Sequence, residues 1–313
     1  MGPRFRLLLR PDGQSTRKQG DDVSSARSQN LRLMLFLLPA LTLFTTFVIL
    51  PFLMGVGYSF LDWNGVSPDW VFVGLKNYGK MFRNKHFMQS LWFTLRFTVV
   101  TVITQNLGAL VIANLLDSVK RGKNFFKGVF FVPNVLSGVI VAFIWGFIFT
   151  KVLPGIAQIT GLEFLGISWF SNPTYAFWST VIVAFWLGTG YLTIVYLAGL
   201  NSIDPAIIEA ARIDGASAFQ QLFRIKLPLI MPSVIIGLFL VTMNGLKQFE
   251  IVFLMTGGGP YRSTETLALL SYNTAYVSRS FGDATAQAII LFVIVAIVTT
   301  TQLLLLKKRE VES

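Results

Sequence analysis

Residues 209–230 read EAARIDGASAFQQLFRIKLPLI and separate two almost wholly apolar runs, Phe177–Leu200 and Leu229–Leu254. A helix start is written just upstream: Asp204 can accept from free N–H groups of a first turn, and Pro205 is preset for that turn. The helix is expected to run from Ala206 to about Ile213 and to stop at Asp214-Gly215, where glycine takes the left-handed conformation. Ser217 with Gln220 then has the spacing of a capping box, opening a second helix that reaches Pro228 and the next apolar run. On the first helix Ile207, Ala210 and Ala211 share a face whose small side chains let another backbone approach. Glu209, on the neighbouring face, either meets a cation of another protein or pairs with Arg212 at i,i+3.

The runs on either side set the class of the protein. With 313 residues, 53% hydrophobic and 13% charged, and a mean hydropathy of +0.63, the chain holds more apolar surface than one globular core can bury. Six runs are long enough to cross a hydrocarbon layer of roughly 30 Å at about 1.5 Å per helical residue. They are Leu33–Phe60, Leu91–Leu116, Gly128–Leu153, Phe177–Leu200, Leu229–Leu254 and Ala284–Leu306. The expectation is an all-α polytopic membrane protein with six transmembrane helices. Pro39, Pro51, Pro232 and Gly237 interrupt runs, at breaks that neighbouring helices can satisfy.

Lys and Arg orient the spans. With a cytoplasmic N-terminus, inner segments hold seventeen of the 26 basic residues, including Lys120, Arg121, Lys123, Lys127, Arg212, Arg224 and Lys226. Six lie outside, and Arg96, Lys151 and Lys247 fall within or at the edges of spans. Both termini are therefore expected in the cytoplasm. The net charge of +11 flanks spans rather than forming a stripe on a folded domain, which reads as topogenic charge and not as a nucleic-acid surface. Residues 1–30 read as a polar tail, with no small-residue cleavage site of a signal peptide after the first run.

The chain offers little for catalysis. It has no cysteine, one histidine (His86) among basic neighbours, and fifteen carboxylates scattered over loops. No Ser/His/Asp set and no metal site can be assembled from them. A phosphate-binding G-x-x-x-x-G-K-[ST] loop is absent, and TGGGPYRST at Thr256–Thr264 lacks the lysine and reads as a sharp turn leaving a helix. Driven transport by this chain would draw its energy from a partner subunit or an ion gradient.

Glu209-Ala210-Ala211, Asp214-Gly215-Ala216, Ile225, Leu227-Pro228 and Pro232 resemble the EAA loop of membrane subunits of ATP-binding-cassette (ABC) importers. The resemblance covers about residues 31–308 and narrows to the carbohydrate branch, similar to the maltose-type permease. FVGLKNY (Phe72–Tyr78), FFKGVFFVP (Phe125–Pro133) and Met255–Pro260 are its further marks, and the large extra outer domain of the maltose protein is missing. This implies a type I ABC importer permease fold with a permease domain over 31–308, a coupling loop at 201–228 and a cytoplasmic end at 309–313. It implies that Glu209, Ala210, Ala211, Asp214 and Gly215 seat in a partner ATPase. The implied partners are a second homologous permease, two ATPase subunits that bind the ATP, an extracytoplasmic solute-binding protein, membrane lipid and a carbohydrate. The chain itself is expected to be no enzyme and to hold no cofactor, in a bacterial inner membrane; an ion-coupled secondary transporter is the alternative.

A sugar site needs apolar faces for C–H surfaces and hydrogen-bonding groups for hydroxyls. FWLGTGY, Phe185–Tyr191, supplies Trp186 and Tyr191 as faces, with Gly188 and Gly190 for close approach; small-residue helix packing explains the same pattern. By resemblance, Leu187, Gly188 and Tyr191 match positions lining the sugar site, and Asn244, Gly245 and Gln248 match positions at or beside the sugar, with Asn244 and Gly245 standing where the maltose-type pattern has an aromatic residue and an asparagine. Polar groups in the fifth run, Asn244, Lys247, Gln248 and Glu250, are costly unless paired or facing a wet cavity. For Lys247 the expected arrangement is an i,i+3 pair with Glu250 inside one helix, with contact to an acidic sugar as the other possibility.

Overall fold

The computed structural model describes residues 34–119 and 121–307. The expected tail at 1–30 and end at 309–313 lie outside them. The chain forms two units, residues 1–55 and 56–313. An apolar helix, α1, Met34–Tyr58, begins in the first unit and ends just inside the second.

In the second unit, β1 (Leu61–Asp62) pairs antiparallel with β2 (Val71–Phe72). The short helix α2, Lys76–Arg83, buries Asn77 and Met81 on one face. Asn77 Nδ2 donates to the carbonyls of Ser59 and Leu61 at 3.0 and 2.9 Å, tying α2 to the strand pair. Asn84 then caps α3, Lys85–Ser118, accepting from the His86 amide. At about 1.5 Å per residue α3 is some 50 Å long, more than a hydrocarbon layer needs.

The third run departs from expectation. Gly128–Leu153 was to be one helix; it is parts of two, α4 (Lys123–Val135) and α5 (Gly138–Thr160), parted by extended backbone at Leu136 and Ser137. Pro133 removes a donor from the last turn of α4. Gly138 then offers a face with no side chain, on which the Glu250 carboxylate lies.

Helix α6, Pro173–Asn201, is capped by Asn172 and buries residues along its length. Its glycines set the packing distance: a side chain at Gly190 would strike the Phe130 carbonyl of α4, and Gly108 of α3 lies against Phe185. Two apolar clusters follow from this packing. One joins Phe93, Phe97, Val141, Phe177 and Val252, the other Ala109, Ala113, Leu192, Tyr196 and Val241. Within the second, the Tyr196 hydroxyl donates to Asn106 Oδ1.

Next come α7 (Pro205–Ile213), α8 (Ala218–Leu229) and α9 (Met231–Leu246), with a bend of 79° between the last two. The fifth run also breaks: α9 stops before Lys247, and α10, Glu250–Met255, is a separate short helix. Left-handed Gly257 and Gly258 make the expected turn, closed by the Thr264 amide on the Gly258 carbonyl at 3.1 Å. After α11 (Leu267–Tyr272), continued by a π turn at Asn273–Val277, the long α12 spans Phe281–Lys307. Among the described residues five helices can cross a membrane, or six when α8 and α9 count as one bent span.

Candidate functional site

A cavity of about 510 Å³ opens where the two broken helices meet α3 and α6. Thr101 and Gln105 of α3 line it, with Asn134 and Gly138 at the α4–α5 break, Leu187 and Gly188 of α6, and Asn244 and Gly245 of α9. Lys247, Gln248, Phe249 and Glu250 complete the wall at the α9–α10 break. A second cavity of about 290 Å³ shares Gln105, Asn134, Gly188, Val241 and Asn244 and adds Tyr191.

Glycines let the wall of this cavity pack closely. Gly188 lies under the Gln105 carboxamide, which a Cβ would strike, and a Cβ on Gly245 would come 3.0 Å from Thr98 Oγ1. Gln105 is buried and donates from Nε2 to the Ala184 carbonyl at 2.9 Å, while Asn134 Nδ2 reaches the Leu187 carbonyl at 3.4 Å. Four carboxamides, from Gln105, Asn134, Asn244 and Gln248, thus face one cavity beside the apolar Phe97, Leu187 and Phe249. A carboxamide both donates and accepts, which suits a hydroxyl-bearing solute.

The arrangement of charge differs from the expected pair. Among the described residues the ion pairs do not include Lys247 with Glu250. Lys247 is the C-cap residue of α9, and Glu250 opens α10 and rests on Gly138 at the start of α5. A cation at a helix C-terminus and an anion at helix N-termini are each favoured by the helix dipole, so the break accounts for both charges.

Of the expected sugar-site residues, Leu187, Gly188, Asn244, Gly245, Lys247 and Gln248 line the larger cavity and Tyr191 the smaller. Trp186 lines neither. Its ring packs edge-on against Trp145 at 5.8 Å, beside the first apolar cluster; at 3.6 residues per turn its position on α6 lies across the helix from Ala184, Gly188 and Tyr191. Thr101, Gln105 and Asn134 line the cavity beyond the expected residues; for Gln105 and Asn134 an amide within an apolar run is the same signal that singled out Asn244, and the Thr101 hydroxyl gives no such signal.

A second site lies on α7 and α8. Asp204 accepts from the Ala206 amide at 2.9 Å, and Ser217 and Gln220 make the reciprocal capping box. Between them the Ala216 amide bonds to the Ala211 carbonyl and the Gly215 amide to that of Arg212, a Schellman turn with Gly215 at φ +78°. Ala211 is buried, so it supports the helix from inside rather than sharing an open face with Ala210. Glu209, Ala210, Asp214 and Gly215 are exposed, and among the described residues Glu209 makes no ion pair with Arg212. Ile213 is 86% and Phe219 71% exposed, so apolar side chains stand out on both sides of the turn.

Residues 105–310 match the family described as binding-protein-dependent transport system inner membrane component. The chain is 37% identical to the probable starch degradation products transport system permease protein AmyD of Thermoanaerobacterium thermosulfurigenes, over 89% of this chain and 94% of the relative. Identity to the multiple sugar-binding transport system permease protein MsmF of Streptococcus mutans is also 37%, over 88% and 95%. In fold it matches a chain of a bacterial ABC transporter that imports the acidic polysaccharide alginate, with a TM-score of 0.79 and 21% identity over 92% and 99% of the two chains. The chain belongs to the family of binding-protein-dependent transport inner-membrane components and has the fold of an ABC importer permease.

Proposed function

We propose that this chain is the permease subunit of a bacterial carbohydrate importer, passing solute by alternating access past the four-carboxamide cavity. That cavity is the observation that carries the reading: it combines hydroxyl-matching amides, apolar faces and glycines that open the helix backbones. The names of the relatives, with their starch products and multiple sugars, support the same solute class. Leu187, Gly188, Tyr191, Asn244, Gly245, Lys247 and Gln248, together with Gln105 and Asn134, form the solute path.

The working complex places this chain in the inner membrane, with residues 1–30 and 309–313 in the cytoplasm and α7–α8 facing the same side. Its partners are a second homologous permease, two ATPase subunits that carry the ATP, and an extracytoplasmic solute-binding protein. Glu209, Ala210, Asp214 and Gly215, with Ile213 and Phe219, meet the ATPase. The ion-coupled alternative receives no support from the relatives named above.

A panel of neutral and acidic mono- to oligosaccharides, with amino acids and peptides as competitors, tests the solute class on the complete importer. At least one carbohydrate is expected to accumulate in vesicles, unaffected by the competitors. Accumulation of an amino acid or peptide, with no carbohydrate transported, contradicts the reading.

A further inference from the structure

We propose that Asp117 is a positioning residue that ties α8 to the cavity-lining helices, so that displacement of the α7–α8 segment is handed to the cavity wall. The two oxygens of Asp117 are shared between two lysines. Lys226 Nζ of α8 donates to Oδ2 at 3.0 Å, and Lys123 Nζ of α4 lies 3.8 Å from Oδ1. Lys226 also donates to Asn114 Oδ1 of α3, and Lys123 to Asn201 Oδ1 at the end of α6, both at 3.1 Å.

One polar cluster therefore joins α3, α4, α6 and α8, and α8 leads directly into α9. Each of α3, α4, α6 and α9 contributes to the cavity through Gln105, Asn134, Gly188 and Asn244. Asp117 stands on the same helix as Gln105, about 18 Å further along at roughly 1.5 Å per residue. An isolated exposed ion pair contributes little. Here the Lys226 side chain is only 15% exposed and that of Asp117 27%, and the lysines are held by amide partners as well as by the carboxylate. Lys123 and Lys226 were read from sequence as orienting charge alone; the geometry gives them a second task.

This inference rests on the proposed ATP-driven function, and its test separates the two. The complete importer, reconstituted in vesicles, is assayed for ATP hydrolysed per solute accumulated, a ratio that reduced assembly does not change. Asp117→Asn and Lys226→Met are each expected to raise the ratio by about fivefold or more, the lower range of coupling between distant sites. The double variant should be no worse than either single one, because both break the same tie, and Asp117→Glu should restore the native ratio. An unchanged ratio in Asp117→Asn, or losses that multiply in the double variant, overturns the tether.

A second readout does not depend on the solute. The chain has no native cysteine, so Asn244→Cys reports cavity accessibility by thiol labelling. Its ATP-dependent change in labelling should shrink about fivefold with Asp117→Asn; an undiminished change contradicts the tether even where carbohydrate uptake itself fails.

Discussion

A complex carrying Ile213→Asp together with Phe219→Asp is expected to lose ATP-driven uptake by about a hundredfold or more while the chain still inserts. Both side chains stand exposed beside the Schellman turn, among Arg212, Asp214 and Ser217. Covering each by a partner stabilises the contact by about 1.5–3 kcal/mol, or about 3–6 kcal/mol for the two. Since roughly 1.4 kcal/mol is tenfold in affinity, the ATPase should be lost from the purified complex. Co-purification of the ATPase, with Ser217→Cys labelling to confirm insertion, checks this; a complex that keeps its full complement of ATPase contradicts the assignment. Glu209→Lys should weaken the same contact by reversing an exposed charge. Gly215→Asp acts differently: space around Gly215 is open, so the cost is the left-handed backbone, about 1 kcal/mol, and the loss should stay near tenfold or below.

Filling the cavity should have the other large effect. Gly188→Leu is expected to reduce uptake at least about tenfold, since overpacking costs roughly 1–3 kcal/mol and the new side chain also occupies the solute's space. The first carbon beyond the backbone already meets the Gln105 carboxamide, so the hydrogen bond from Gln105 to the Ala184 carbonyl must give way. Gly146→Ala, in open space on α5, is the matched control and should transport normally. Vesicle uptake of the preferred sugar measures both. Native uptake by Gly188→Leu would remove Gly188 from the solute path.

Features that depend on a few neighbouring residues were legible in the sequence. The Asp204-Pro205 start, the Gly215 stop, the Ser217–Gln220 box and the turn at Gly257-Gly258 all form as their residue types require. The spans were legible too, because a long apolar run is a property of composition. Helix breaks inside such runs were not. Extended backbone at Leu136-Ser137 and the interruption after Leu246 occupy two or three residues and barely alter hydropathy.

That omission explains the misreading of Lys247 and Glu250. On one continuous helix they are i,i+3 neighbours; across the break they belong to opposite helix ends, each matched to the local dipole. Trp186 shows the complementary limit, since an aromatic ring suits a sugar face and an apolar core equally and only packing against Trp145 decides. Gln105 and Asn134 carried a readable signal, amides in apolar runs, but lay outside the stretches that the family resemblance singled out.

In the function proposed above, transport through this chain is driven by ATP acting through α7 and α8. The most direct measurement is uptake of labelled carbohydrate into vesicles containing the complete importer, with ATP supplied only on the face that presents Ser217. Proton and sodium gradients are collapsed by ionophores in parallel. Uptake is predicted to require ATP on that face and to persist without any ion gradient; uptake that proceeds without ATP and stops when a gradient is collapsed would mean that an ion gradient drives transport.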